Sequence, residues 1–308
     1  MTPEVSILIC TRNRADELPF ALQSVLANLA NPMYEVVVVD QSDDDSTARV
    51  VETCRAEAFP GVELRHVPTT TRGLSLARNI AIAESSAPLL AFTDDDCLVP
   101  KDWVRTVSEL FGEEDTLDMV YGQVLMPDEY KDRADIVVPC LPFTTRRVLE
   151  RGDIFGMGAN MALRKSLTDA IGVYDIVLGA GGAFGGGEDF DFTYRAQLAG
   201  RKIVAEPRLQ AVHKSFRTVD KWSQVTYAYG RGDAAFYGKH ARSGDSWAAG
   251  VIRQRLAKTL AKNVAKTLLG RGADWSYLRG FREGLKAAEM FPVDAARRMY
   301  QPKVEAAR

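Results

Sequence analysis

Acidic residues lie at three places in this chain where the neighbouring residues give them a chemical context. Asp94–Asp96 and Asp40 each directly follow a short, mainly apolar segment. Glu188-Asp189 follows a glycine-rich segment. Carboxylates can bind a metal ion, accept hydrogen bonds from a ligand or take up a proton, and their positions decide among these roles.

The run Asp94–Asp96 points to a metal ion. Adjacent carboxylates repel one another, so a partly buried turn holds them only when a cation or hydrogen-bond donors compensate their charge. Aspartate oxygens are hard ligands, and they suit Mg²⁺ or Mn²⁺ held together with substrate phosphates. The alternative is a solvated acidic turn that caps the next helix. The position directly after a buried strand favours the metal interpretation.

Two further groups of residues suit ligand binding and proton transfer. Asp40 can accept a hydrogen bond from a nucleotide base or a ribose hydroxyl, and Arg72 and Arg78 can bind a diphosphate. Glu188 and Asp189 begin a predicted helix, where one of them can act as a general base. The simpler alternatives are an exposed start of the helix for the arginines and compensation of the helix dipole for the acids.

The segments around these residues alternate between buried-strand and helical patterns. The predicted strands are 5–10, 34–39, 62–67 and 88–93, and the predicted helices are 16–29, 46–58 and 74–85. Such alternation predicts an open, mostly parallel sheet flanked by helices, whose ligands bind beyond the carboxyl ends of the strands. The residues after Cys10, Val39 and Thr93 should therefore share one crevice.

Later in the chain the pattern changes. We predict a helix at 188–199, a short strand at 202–205 and helices from 220 to the end. The catalytic domain is accordingly predicted at 1–215 and a C-terminal helical region at 216–308. The net charge of −2 argues against a nucleic-acid binder.

The cysteine pattern and the apolar runs bear on location. None of the four cysteines has CxxC spacing, so neither a zinc framework nor a secreted disulfide scaffold is expected. The N-terminus has no basic signal region, and no apolar run reaches the roughly 18 residues of a membrane span. The prediction is a cytoplasmic protein, with peripheral contact to the inner face of the cell membrane as the alternative.

Residues 251–269 form a predicted amphipathic helix with basic residues between its apolar positions. Residues 251–308 contain 13 Lys or Arg but only five Asp or Glu. One interpretation is a helix that packs on the catalytic domain or on a second copy of the chain, giving a homodimer. The other is adhesion to an anionic membrane surface.

The order and spacing of these motifs resemble the bacterial-type family 2 glycosyltransferases, which have the GT-A fold. The resemblance covers about residues 4–215. The matching segments are 5–14 (first strand and nucleotide loop), 34–47 (second strand and its acidic turn), 72–79, 92–96 (the DxD motif), 155–164 (FGMGANMALR) and 187–200 (the Glu-Asp motif and its helix).

The resemblance implies a role for each matching residue of the nucleotide-sugar site. Thr11 and Arg12 fall in the nucleotide loop. Asp40 matches the aspartate that binds the base, and Asp94 the first DxD aspartate near the ribose. Asp95 stands beside it and, with Arg72 and Arg78, completes the expected nucleotide-sugar site.

The same resemblance implies the metal and the base. Asp96 matches the metal-binding aspartate for Mn²⁺ or Mg²⁺, and His213 falls where some members place a further metal ligand. Asp189, with Glu188 beside it, matches the catalytic base.

Together these inferences predict an inverting glycosyltransferase of cell-envelope polysaccharide or glycolipid synthesis. It would use a nucleotide-diphosphate sugar and a saccharide or lipid-linked acceptor. Two alternatives stay open. One is a non-catalytic sugar- or partner-binding module on a transferase scaffold. The other is a different α/β nucleotide enzyme such as a nucleotidyltransferase, although the segment after the first strand lacks the glycines of a phosphate loop.

Overall fold

The computed structural model describes residues 2–29, 31–58 and 61–301, without the side chain of Glu57. The helices and strands are β1 Val5–Thr11, α1 Leu18–Leu26, β2 Tyr34–Asp40, α2 Ser46–Glu57, β3 Glu63–Pro68, α3 Leu74–Glu84, β4 Leu89–Thr93, β5 Cys97–Leu98, α4 Trp103–Glu113, β6 Leu117–Leu125, β7 Ile136–Val137, β8 Arg147–Val148, β9 Asn160–Arg164, α5 Ser166–Ile171, α6 Glu188–Leu198, β10 Lys202–His213, β11 Arg217–Thr218, α7 Trp222–Arg242, α8 Ser246–Leu268, α9 Ser276–Ala288, β12 Val293–Asp294 and β13 Met299–Tyr300. Single 3₁₀ turns lie at Asp128–Tyr130 and Val219–Lys221.

The chain divides into two compact units that interleave along the sequence. The first unit comprises Met1–Arg72, Leu76–Val173 and Thr193–Arg217, and the second comprises Gly73–Ser75, Tyr174–Phe192 and Thr218–Arg308. The predicted division into domains at residue 215 stays a prediction. The last residues of the predicted C-terminal region, 302–308, lie outside the described part of the chain.

Nine strands of the described residues form one sheet in the first unit, in the order β3-β2-β1-β4-β9-β6-β10-β5, with β8 paired to β10. β1 runs parallel to both β2 and β4, so the chain moves outward from β1 to β3 and then returns to β4 on the other side of β1. This reversal creates a switch point at the carboxyl ends of β1 and β4, where sheets of this kind bind ligands.

The core of the first unit explains why the apolar runs become strands. Every residue of β2 is buried, and β1 is buried except for half-buried Cys10. Val5, Ile7 and Ile9 of β1 share one core cluster with apolar side chains of α1, α2 and α4. Burying each of these large side chains contributes about 1.5–3 kcal/mol. The cluster thereby fixes the sheet whose strand ends hold the acidic residues.

The predicted fold class is confirmed, with three differences of detail. β9 lies antiparallel between β4 and β6, an insertion that the sequence did not predict. The strand predicted at 202–205 continues as β10 to His213. The prediction of helices to the end of the chain was wrong near β12 and β13, which form a short antiparallel ladder.

The second unit is built on three long helices. A core cluster joins Leu178 and Phe184 to Ala235 of α7, Ala288 of α9 and Tyr300 of β13. α7 and α9 pack closely, because a Cβ atom added to Gly280 would collide with the backbone carbonyl of Tyr227. Among the described residues, no helix is both long enough and apolar enough to cross a membrane.

Candidate active site

The loop after β1 turns sharply at Asn13. The φ angle of Asn13 is 54°, in the left-handed region that asparagine tolerates better than most residues. Its backbone N–H donates to Ser42 Oγ over 2.9 Å, and its Oδ1 accepts from the backbone N–H of Asp43 over 2.9 Å. This turn precedes Arg14, whose side chain contacts the acidic residues after β4.

The acidic run after β4 is neutralised by the loop after β1. Arg14 Nη1 lies 2.6 Å from Asp95 Oδ1 and 2.6 Å from Asp96 Oδ2. Thr11 Oγ1 donates to Asp95 Oδ2 over 2.7 Å, and Arg78 lies 3.8 Å from Asp94 Oδ1. The residues after β1 and β4 therefore lie together, as predicted, and these carboxylates face cationic and hydroxyl groups.

The environments of the neighbouring acids push their pKa values apart. Burial raises the pKa of Asp95 to about 6, with the Asp96 charge adding to it and Arg14 opposing it. Burial also acts to raise the pKa of Asp96, but His213 and Arg14 outweigh it and lower that pKa below its ordinary value. Asp96 thus loses its proton more readily than Asp95 does.

β10 brings His213 to the acidic run. His213 pairs with Cys97 where β10 meets β5. Nδ1 of the ring lies 2.9 Å from the carbonyl oxygen of Ser215 and must donate to it, because a carbonyl only accepts. Nε2 of the same ring lies 3.6 Å from Asp96 Oδ1.

A cluster of possible metal-ligating atoms results from this pairing. One ligand atom each from Asp96, Cys97 and His213 lies within 4.8 Å of the others, and all three residues are buried. Burial raises the pKa of the Cys97 thiol well above its ordinary value. The cluster thus offers a carboxylate oxygen and an imidazole nitrogen, beside a protonated thiol that donates to Asp96 Oδ1 over 3.8 Å.

Asp40 lies at the end of β2, beside Thr11 in the pairing of β1 with β2. Its Oδ1 accepts from the backbone N–H of Ser42 over 2.8 Å, and its Oδ2 lies 3.0 Å from Nε2 of His66. Asp40 is 5% exposed. The carboxylate is thus held at the strand end with both oxygens directed by neighbours.

Asp43 gathers the two other predicted arginines. Its carboxylate accepts from Arg72 and lies 3.6 Å from Arg12. Both arginines are partly exposed. A bound anion can therefore reach both arginines from solvent.

The second unit holds the predicted base. α6 begins at Glu188, and its first turn contains Glu188, Asp189 and Asp191. Glu188 and Asp191 are buried, whereas Asp189 is half-exposed. Gly187 precedes them with a φ of 85°, and a Cβ atom there would lie 2.7 Å from the carbonyl oxygen of Gly232. The glycine therefore permits close packing on α7 at the start of the acidic turn.

Asp191 belongs to a buried ionic network. Lys239 Nζ lies 2.7 Å from Asp191 Oδ1 and 2.7 Å from Asp175 Oδ2, and all three side chains are fully buried. His240 Nε2 lies 2.9 Å from Asp191 Oδ1, and the backbone N–H of Tyr300 donates to Asp175 Oδ2 over 2.8 Å. Of the three acids, Asp191 therefore anchors the first turn of α6, while Asp189 is only half-buried.

Comparison with known proteins assigns the chain to a family. The sequence profile described as "Glycosyl transferase family 2" matches residues 6–172, more than half of the chain. The chain belongs to glycosyl transferase family 2. The resemblance inferred from the motifs is thereby confirmed.

Two curated relatives of this family 2 chain are glycosyltransferase AglE of Haloferax volcanii and succinoglycan biosynthesis protein ExoM of Rhizobium meliloti. AglE is 32% identical over 124 residues, covering 40% of each chain. ExoM is 30% identical over 211 residues, covering 67% of this chain and 65% of its own. The matched segments thus span less than two-thirds of these relatives.

A solved structure shows the fold of the family 2 chain. It is the mannosyltransferase PcManGT from Pyrobaculum calidifontis in complex with GDP-Man and Mn²⁺. Its TM-score is 0.61 at 19% identity, over 94% of this chain and 86% of that one. The likeness confirms a GT-A-like fold.

Sequence reasoning missed three residues of these two clusters in the family 2 chain. Arg14 was not singled out, although it lies only three residues after the end of β1. Cys97 was not considered as a neighbour of His213, because the pairing of β5 with β10 has no sequence signal. Lys239 was not singled out either, because nothing in the sequence marks it as the buried partner of Asp191.

Proposed function

We propose that the protein transfers a sugar from a nucleotide-diphosphate donor to an acceptor hydroxyl, with inversion at the anomeric carbon. The observation that carries the proposal is the grouping of Thr11, Arg14, Asp95, Asp96 and His213 at the switch point of a GT-A-like sheet. Membership of family 2 and the relatives' names support it.

The donor set fits a divalent cation such as Mn²⁺ or Mg²⁺. The pKa of Asp96 is lowered, and His213 Nε2 lies 3.6 Å from its Oδ1. A carboxylate oxygen is a hard ligand and an imidazole nitrogen a borderline one for such an ion. We propose Asp96 and His213 as its ligands. When bound, the cation would neutralise charge that develops on the departing diphosphate.

The nucleotide-sugar would be bound by the side chains around this cation site. We propose that Asp40 contacts the base and Asp94 the ribose, and that Thr11 and Asp95 shape the floor beneath them. Arg12, Arg72 and Arg78 supply positive charge for the diphosphate. The donor base and sugar are left open.

We propose Asp189 as the general base, with Glu188 beside it. It would take the proton of the acceptor hydroxyl while that oxygen attacks the anomeric carbon from the face opposite the diphosphate. The carbon–oxygen bond to the diphosphate breaks as the new glycosidic bond forms, so an α-linked donor gives a β-linked product. Its partial exposure at the start of a rigid helix supports this role.

We propose that the acceptor is a saccharide or lipid-linked saccharide of the cell envelope. We also propose that the enzyme acts in the cytoplasm and makes peripheral contact with the inner face of the membrane. The C-terminal half of α8 supports the contact. Leu260, Val264 and Leu268 are 50%, 42% and 81% exposed in one row, and the basic Lys258 and Lys262 beside them are also exposed. Such a surface complements anionic lipid headgroups.

A thermal-shift panel of nucleotide sugars with and without Mn²⁺, followed by transfer assays, tests the proposal. Binding to the native state alone stabilises it by about 2.7 kcal/mol at a ligand concentration of 100 Kd. We expect one class of nucleotide sugar to raise the Tm only with the cation and to be turned over. A shift without turnover for any acceptor would favour the sugar-binding module instead.

A further inference from the structure

Arg14 spans the two buried carboxylates of the proposed cation site. One of its nitrogens, Nη1, lies 2.6 Å from Asp95 Oδ1 and 2.6 Å from Asp96 Oδ2. The Asp95 and Asp96 side chains are 6% and 4% exposed, whereas the Arg14 side chain is 30% exposed. The carboxylates are fixed inside the protein, but the arginine that neutralises them reaches solvent.

The Arg14 guanidinium and a divalent cation would compete for the negative charge of the Asp96 carboxylate. Asp96 uses Oδ2 for Arg14 and directs Oδ1 to His213, so a cation on the His213 side would lie beside the guanidinium. Like charges at this separation repel, and the affinity of a carboxylate site for a cation falls as its negative charge is compensated. Arg14 should therefore weaken cation binding in the nucleotide-free protein.

We propose that Arg14 makes cation binding conditional on the diphosphate of the donor. Diphosphate oxygens accept charge-assisted hydrogen bonds from arginine, so a bound nucleotide offers the guanidinium a new partner. Drawing Arg14 from Asp96 restores the carboxylate charge that the cation needs. This inference rests on the proposed function, in which the donor carries a diphosphate.

The arrangement around Arg14 suits such an exchange. Thr11 continues to donate to Asp95 Oδ2 when the guanidinium leaves Oδ1, so Asp95 keeps one partner. The turn at Asn13 is held by Ser42 and Asp43, which leaves the backbone in place while the side chain moves. By linkage, cation and nucleotide then raise each other's affinity by the same factor.

Coupling between cation and nucleotide alone does not test the inference, because a cation that bridges to phosphate couples the two without any arginine. The test is instead the affinity for Mn²⁺ in the absence of nucleotide, measured on the full chain by electron paramagnetic resonance. Arg14→Gln removes the charge. We expect this variant to bind Mn²⁺ at least about 10-fold more tightly than the wild type, which is a typical coupling magnitude. The factor by which UDP or GDP raises the Mn²⁺ affinity should be smaller in the variant by the same amount.

Two matched variants show whether a change in Mn²⁺ affinity comes from the charge of Arg14. Arg14→Lys keeps a positive charge at the site, so its Mn²⁺ affinity should stay within a few-fold of the wild type. Arg12→Gln loses the same charge two residues away, where the arginine pairs with Asp43, and it should leave nucleotide-free Mn²⁺ binding unchanged. Arg14→Met keeps the aliphatic stem and replaces the glutamine variant if that one does not fold. If Arg14→Gln or Arg14→Met folds only when Mn²⁺ is present, whereas the wild type folds without it, the result supports the inference. The ion then replaces the positive charge that the substitution removed.

The outcomes separate this inference from the proposed function. Equal Mn²⁺ affinity of the wild type and Arg14→Gln without nucleotide overturns the role of Arg14 and leaves the transferase proposal standing. Absence of Mn²⁺ binding in every variant, even with saturating UDP or GDP, overturns the metal-assisted part of the proposed function instead.

Discussion

Asp96 divides its two carboxylate oxygens between two kinds of neighbour. Oδ2 accepts from Arg14, and Oδ1 faces His213 and the thiol of Cys97. Asp95, one residue earlier, accepts from Thr11 and Arg14 and is the acid whose pKa rises to about 6. Both residues are aspartates, but their neighbours differ, so substituting one should not have the same effect as substituting the other.

Replacing Asp96 by alanine should abolish cation-dependent nucleotide binding and sugar transfer, because the proposed site then keeps only the His213 nitrogen. Calorimetric titration with a nucleoside diphosphate, with and without Mn²⁺, measures the effect. Asp102→Ala removes an exposed carboxylate six residues later and should change neither quantity. Full activity of the wild type in EDTA would contradict the metal's role.

Replacing Asp189 by asparagine should cut turnover by about 10²-fold or more and leave donor affinity nearly unchanged, since a general base acts mainly in the transition state. Steady-state kinetics and donor titration separate the two quantities. Asp191→Asn is the matched comparison: it should lower the Tm, because it leaves buried Lys239 with one carboxylate fewer. A main effect of Asp189→Asn on donor Kd would make Asp189 a binding residue.

At the scale of elements, α8 has two different halves. In its N-terminal half, Arg255 contacts Asp233 over 2.9 Å, Tyr277 over 2.8 Å and Tyr237 over 3.0 Å, so this part packs on α7 and the start of α9. Its C-terminal half exposes the apolar row and the lysines. The predicted basic face is thus split, with Arg255 used for packing rather than for an anionic surface.

Sedimentation with liposomes tests the exposed half of α8. We expect binding to anionic vesicles at low salt, loss of binding at high salt and none to neutral vesicles, since each basic residue near such a surface adds about 1 kcal/mol. Lys258→Glu with Lys262→Glu should weaken binding strongly, whereas Arg49→Glu on exposed α2 should not. Equal, negligible sedimentation with both vesicle types, together with a dimer in size exclusion, would assign the surface to a second copy of the chain.

The elements also show what sequence patterns carry and what they do not. β1, β2 and β4 were predictable because continuous apolar runs need burial on both faces of a sheet. The length of β10 was not, because Glu206, Pro207 and Arg208 interrupt its apolar pattern and the register with β6 shifts there. The burial of Asp191 with Lys239 was unpredictable for a similar reason, since isolated charges carry no sign of their partners.

At the scale of the whole molecule, the proposed site residues fall in both compact units. The first contains the nucleotide-sugar and cation residues, and the second contains Glu188 and Asp189 with the buried network of Lys239. Three of the four tryptophans, Trp222, Trp247 and Trp275, belong to the second unit. Tryptophan fluorescence therefore reports mainly on the unfolding of that unit.

Stability of the second unit should fall as the pH falls below about 6.5, the ordinary pKa of histidine. Burial lowers the pKa of His240 in the folded chain, with Lys239 and Arg298 adding to this and Asp191 opposing it. Above that pH His240 is neutral in both states and contributes nothing. Below it only the unfolded state takes up the proton, which costs up to about 1.4 kcal/mol per pH unit.

Urea unfolding followed by tryptophan fluorescence between pH 7.5 and 5.5 measures this dependence. Subtracting the curve of His240→Gln removes the contribution of the acids, because these titrate in both proteins. The wild type should show the steeper loss of unfolding free energy toward acid. Parallel pH curves for the two proteins would show that His240 carries no such linkage.

The pairing of His213 with Cys97 also has a consequence for how the chain is made. Asp96 and His213 are separated by more than a hundred residues, and only the docking of β10 against β5 brings them together. During synthesis from the N-terminus, the Asp96 carboxylate leaves the ribosome long before the His213 imidazole does. A cation recruited through this pair therefore cannot guide early folding; it can only favour the finished sheet, by mass action on the native state.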